Sequence, residues 1–233
     1  MRFCFAMSVG LLLIAAAAPA TAEIVRVTWT GSIAFNFGVP GLPTSGPASG
    51  SFEYDTATPP TAYFGRTIYD VNTTFHFTFG GLSGSASNQD IQIHNDVPST
   101  LWDGFRIRSA QSVNGPPQVF SGPASNPSPG WTVDGFDFEL TDDEGLIFSS
   151  ESLPNSLSLA GWDGSAALGG TRVIFVYTDG NVGANFIIEF DSISSEIVAP
   201  PAVPSIGAVG MGALSILLVS VGLIVSSRRF ATR

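Results

Sequence analysis

The 233 residues predict an all-β exported domain, a single β-sandwich or jelly roll, between an N-terminal signal helix and one C-terminal transmembrane helix. Three observations predict this. Apolar and polar residues alternate with period two in many short stretches, as they do in half-buried strands. The chain holds 26 glycines and 16 prolines, a turn-rich composition that suits many short strands better than a helical bundle. Two uncharged apolar runs stand near its ends.

The first run carries export. Arg2 is the only charge before Glu23, and residues 9–18 are apolar apart from Gly10. Pro19, Ala20, Thr21 and Ala22 follow, so small residues precede a cleavage point between Ala22 and Glu23. Residues 1–22 read as a signal peptide. The only cysteine, Cys4, lies ahead of the apolar run and leaves with it. The mature chain then holds no disulfide and no zinc–cysteine cluster.

Residues 23–199 form the expected ectodomain. Ile33, Phe35 and Phe37 alternate with polar or small neighbours, as do Phe75, Phe77 and Phe79, then Ile91 and Ile93, then Phe136, Phe138 and Leu140. Further strands are expected at 24–30, 49–54, 104–109, 172–178 and 185–193, with Asp179-Gly180-Asn181 as the hairpin turn between the last two. Five prolines between 116 and 130 exclude a central strand there and predict a long surface loop. About 175 residues are enough to bury one substantial core.

Within the ectodomain five arginines face all nineteen carboxylates, a balance of −14. That charge excludes a nucleic-acid binder, which needs a basic face for phosphates. No serine sits in a G-x-S-x-G elbow, and His76 and His94 lie on polar sides of strands with no H-E-x-x-H spacing. Asp137 and Glu139 share a strand face and are the one pair to weigh for glycoside hydrolysis. Solvated charges are the plainer reading of that pair, and the chain is expected not to be an enzyme. Asp142, Asp143 and Glu144 crowd hard oxygen ligands into one turn, which leaves calcium as the one cofactor open to the chain. They lack the alternating D-x-D-x-D-G spacing, so no cofactor is the plainer expectation. Trp102 and Trp162, each followed by Asp-Gly, are candidates for stacking on sugars, against the alternative of core packing.

Beyond the domain, residues 200–205 form a stiff Pro-rich spacer. Residues 206–225 are an uncharged apolar run about 30 Å long as a helix, the thickness of a bilayer core. The expected transmembrane helix covers 206–227. Arg228, Arg229 and Arg233 hold the tail, 228–233, on the cytoplasmic side and leave the domain outside.

Val203-Pro204-Ser205, the glycine-rich apolar helix and the terminal Arg-Arg together resemble the PEP-CTERM class of C-terminal sorting signals. Val203-Pro204-Ser205-Ile206 stands where that class usually has Val-Pro-Glu-Pro. The ectodomain also resembles the β-rich domains found ahead of such tails, through Gly50-Ser51-Phe52-Glu53-Tyr54-Asp55-Thr56, Phe75-His76-Phe77-Thr78-Phe79-Gly80-Gly81, Ile93-His94-Asn95-Asp96 with Asp103-Gly104-Phe105, and Ser152-Leu153-Pro154. The resemblance implies a sorting protease of the exosortase type as partner. It also implies an exported protein of Gram-negative bacteria, first held in the inner membrane, then in the envelope, exopolysaccharide or biofilm matrix. The expected function is structural or adhesive, with a carbohydrate-binding module, calcium-assisted or not, as the alternative and a glycan hydrolase behind it. Extracellular polysaccharide is the expected partner in the alternative.

Overall fold

The computed structural model describes residues 23–63, 66–95, 103–108, 119–162 and 170–198. The signal segment with Ala20 and Ala22, Trp102, the spacer with Val203, Pro204 and Ser205, the helix 206–227 and the arginines 228, 229 and 233 lie outside the described residues. Among the described residues no helix is long and apolar enough to cross a membrane.

Ten strands run through these segments: β1 (Ile24–Asn36), β2 (Pro47–Asp55), β3 (Pro60–Tyr63), β4 (Arg66–Phe79), β5 (Leu82–His94), β6 (Asp103–Arg108), β7 (Val119–Ser121), β8 (Thr132–Asp142), β9 (Arg172–Thr178) and β10 (Gly183–Val198). All pairings are antiparallel. Eight of them follow the order β4-β2-β1-β10-β9-β8-β6-β5, and β5 then pairs with β4. That last pairing closes the sheet into a barrel, with β3 and β7 added outside the ring.

The all-β expectation stands, but the sandwich or jelly roll does not form: one sheet curls on itself instead of two sheets facing. The reason is physical. Alternation reports only that one side of each strand is buried, and a closed barrel buries one side of every strand just as a sandwich does. What separates the two folds is whether the β4–β5 hairpin joins β2 on one side and β6 on the other while β1 meets β10, and the β1–β10 pairing is long-range. The expected loop at 116–130 also carries structure in its described part. There the short edge strand β7 is followed by a 3₁₀ turn, Pro123–Ser125, which Pro123 opens and whose Ala124 is buried.

Aromatic rings fill the barrel. Phe75 lies 4.7 Å from Phe136, 5.8 Å from Phe52 and 5.9 Å from Trp29 between ring centres. Phe175 lies 4.6 Å from Phe77, and Phe79 is 4.7 Å from Phe186. Eight-stranded barrels have an interior just wide enough for side chains to fill, often by alternating large with small residues. One interior row shows how. Cross-strand register places Trp29 beside Gly50, Gly50 beside Phe77, and Phe77 beside Gly84. A Cβ on Gly50 would sit 2.5 Å from the Trp29 ring and 2.2 Å from the His76 carbonyl oxygen. One on Gly84 would sit 2.5 Å from the Phe77 ring. The glycines make the room that the rings occupy.

Connecting segments lie across both poles. At one, Leu153, Leu157 and Trp162 are buried, and the strand ends hold their segment. Tyr54 donates to the Pro154 carbonyl at 2.7 Å, Tyr69 donates to that of Glu151 at 2.6 Å, and the Ser195 hydroxyl accepts from Leu157 N–H at 2.7 Å. At the other, Val39, Leu42 and Ala124 are buried, and Tyr177 donates to the Ala124 carbonyl at 2.8 Å.

Candidate functional site

With the interior filled, the chemistry accessible to a partner lies on the outer wall, and register divides that wall into two regions. The first is ionic. One row crosses Glu189 on β10, Arg172 on β9, Glu139 on β8, Arg106 on β6 and Gln92 on β5. The next crosses Asp137, Arg108, Asp90 and Asp70. Glu139 meets Arg106 at 3.1 Å and Arg172 at 3.7 Å. Arg108 holds Asp137 with two hydrogen bonds, 2.7 and 3.2 Å, and Arg66 donates to Gln92 at 3.0 Å. Four of the domain's five arginines are therefore gathered here.

Much of this ionic wall is buried: Asp90, Gln92, His94 and Glu139 are each less than a tenth exposed. Burial raises the Glu139 carboxyl above its ordinary value, although Arg106 and Arg172 pull it down. Burial, reinforced by Asp70, raises Asp90 to about 6. Burial, reinforced by Arg106, Arg66 and Arg108, lowers His94 to about 3, so its ring is neutral at ordinary pH.

The second region is a neutral wall of hydroxyls. Register lines up Ser194, Thr28, Ser51, His76, Ser85 and Ser121 in one row across β10, β1, β2, β4, β5 and β7. Beside it run Ser192, Thr30, Ser49, Thr78 and Ser83. Every one of these residues is exposed or half-buried. Neighbouring hydroxyls bond across the strands, Thr28 to Ser194 at 2.9 Å, Thr30 to Ser192 at 2.7 Å and Ser85 to Ser121 at 2.7 Å. Arg26 marks the margin, tied to Glu53 at 2.7 Å and Glu196 at 3.3 Å.

Two clefts indent the neutral wall. One, about 480 Å³, is lined by Thr30, Ser49, Thr78, the Gly80–Gly81 turn and Asp191. The other, about 430 Å³, is lined by Ser51, Glu53, Asp55, Thr73, Thr74 and His76. The second arises because β2 pairs with β4 only from Ala48 to Ser51, after which the strands part. Thr73 stitches the gap, its hydroxyl donating to the Glu53 carbonyl and accepting from the Glu53 N–H. Ser49 and Thr78 of the first cleft are the next same-face neighbours of Ser51 and His76 of the second.

The residues singled out by sequence fall as follows. Asp137 and Glu139 share the outer face of β8, each held by arginine. Asp142 is buried and spends its carboxylate on its own turn, accepting from Glu144 N–H at 3.0 Å and Leu146 N–H at 2.7 Å. Among the described residues no three His, Cys, Asp or Glu side chains gather as a metal-holding group. Trp162 is 8% exposed and meets Phe148 edge-on at 5.4 Å, so its ring face is turned into the core. Among the described residues Phe35 and Phe37 are the exposed large aromatics, stacked on each other at 5.7 Å. His76 sits at the centre of the neutral wall and His94 on the ionic one. Sequence reasoning passed over the hydroxyl wall. Its signal was present in the polar half of the alternation at Thr28, Thr30, Ser49, Ser51, Ser83, Ser85, Ser192 and Ser194, neutral hydroxyls where a charge would serve as well.

Comparison with known proteins finds no family that matches the chain, no similar curated protein and no similar solved structure.

Proposed function

We propose that this chain is an exported, non-enzymatic protein of the bacterial envelope or extracellular matrix, structural or adhesive, acting through the outer wall of its barrel. The observation that carries the proposal is the division of labour in the domain. Rings fill the inside, and the accessible polar groups are spread over a broad outer surface. Such a surface suits attachment to something larger than itself. The signal-like residues 1–22, the apolar segment 206–227 and the arginines 228, 229 and 233 support export followed by membrane retention. Val203-Pro204-Ser205 supports later release by an exosortase-type protease. The reading calls for no cofactor and no nucleic acid.

The test is the intact mass of the native protein together with fractionation of the same cells. A chain beginning at Glu23 and ending near Val203–Ser205, found outside the membrane, is the expected result. A chain running to Arg233 in the membrane fraction would make the tail a permanent anchor and remove the sorting step. A chain that keeps residues 1–22 and stays in the cytoplasm would overturn the reading altogether.

A further inference from the structure

We infer that the two clefts of the neutral wall form one continuous binding groove for an uncharged polysaccharide chain. This rests on the surface-acting function proposed above and names its partner. Four observations lead to it. The clefts follow one another along β2 and β4, Ser49 and Thr78 of one being the next same-face positions to Ser51 and His76 of the other, and Pro47 to Asp55 spans about 27 Å, room for a run of several sugar units. Hydroxyls line both beside apolar and backbone groups, Thr30, Ser49 and Thr78 in one and Ser51 and Thr74 with His76 in the other, and each of these hydroxyls both donates and accepts as a sugar hydroxyl does.

Charge is the third. The two hydroxyl rows hold no Asp, Glu or Arg, although the ectodomain as a whole carries a balance of −14. Carboxylates appear only at the outer ends of the groove, Asp191 at one and Glu53 and Asp55 at the other. There they would accept hydrogen bonds from sugar hydroxyls and repel an anionic polymer. The fourth observation is what the rows lack. Protein interfaces are anchored by buried aromatic or arginine side chains, and neither hydroxyl row contains one. Short Ser and Thr side chains also lose little conformational freedom when a partner settles on them.

The experiment uses the full chain in detergent micelles, with retention measured on dextran, hydroxyethylcellulose, galactomannan and the polyuronate alginate. At least one neutral polymer should retain the protein, and alginate should not. Ser49→Glu with Thr78→Glu places charge in the middle of the groove and should weaken retention about tenfold or more. Ser51→Ala with Thr78→Val removes hydroxyls without adding charge and should weaken it in the same direction. Glu189→Gln, on the ionic wall, should leave it unchanged. The second pair keeps the test decisive if the charged pair shifts the melting midpoint. Retention by none of the neutral polymers, equal retention by alginate, or indifference to both groove variants would overturn the inference. If that happens while the mature chain is still found outside the membrane, the groove is lost and the surface reading survives.

Discussion

The two walls of this barrel cover the same aromatic core with opposite chemistry. On one, Glu139 binds Arg106 and Arg172, and Arg108 grips Asp137, with long side chains that are largely buried. On the other, Thr28, Thr30, Ser49 and Thr78 are short, neutral and exposed. Burying a charge is costly unless it is paired, so the ionic wall is committed to its own internal partners. A solvated hydroxyl carries no such obligation and exchanges water for a ligand at little cost. The difference separates a wall that coheres from a wall that is available.

The comparison breaks most sharply at Glu139. Replacing it with Ala leaves Arg106 and Arg172 without their shared acceptor and should cost about 3–5 kcal/mol in urea unfolding. Adding Arg106→Met should restore much of that, because removing both partners of a buried pair relieves the stranded charge. A double-mutant cycle that finds simple additivity would show the wall is not a coupled unit.

Beneath the neutral wall the sensitive position is not a hydroxyl but Gly50. Its alanine variant must displace Trp29 or the His76 backbone and should lose about 2–3 kcal/mol. A smaller loss would mean the interior row can reseat.

A titration sharpens the contrast further. Asp90, raised to about 6, takes up a proton on folding, so its buried charge costs stability above about pH 6 and that cost is relieved as pH falls from about 6 toward 4. His94, lowered to about 3, works the other way, stabilising above its ordinary value near 6.5 and losing that as pH falls. Asp90→Asn should therefore raise stability by about 3 kcal/mol at pH 8 and by less than about 1 kcal/mol at pH 4. Thermal melts at the two pH values measure it. Smallest of all is the effect on the neutral wall itself: Thr28→Val or Ser51→Ala should change stability by less than about 0.5 kcal/mol.

How much of this was legible follows from the pairing of large with small residues. Phe75, Phe77 and Phe79 announce the inner face of β4, and its strand was readable. Leu82–His94 was readable only at Ile91 and Ile93. Its first half, Ser83-Gly84-Ser85-Ala86-Ser87, turns Gly84 and Ala86 inward against those rings, so the apolar beat is missing although the strand is present. Likewise β1 is one strand across a bulge between Thr30 and Gly31, not the two separate pieces its pattern suggests. Closure was hidden for a different reason: nothing local to β4 or β5 tells whether a second sheet or their own neighbours will cover them. The ionic wall was half visible. Asp137 and Glu139 stood out as a pair, but the arginines that engage them come from other strands.

The ring has a mechanical meaning. β10 is paired with β1 along twelve residues and with β9 along seven, and neither partner is an edge strand. A pull entering at Val198 along the strand direction would load both ladders in shear, many hydrogen bonds at once, where a hairpin at the rim of an open sheet would peel one bond at a time. A domain tethered at that end and gripping through β2 and β4 would thus carry tension through its most extensively bonded strand.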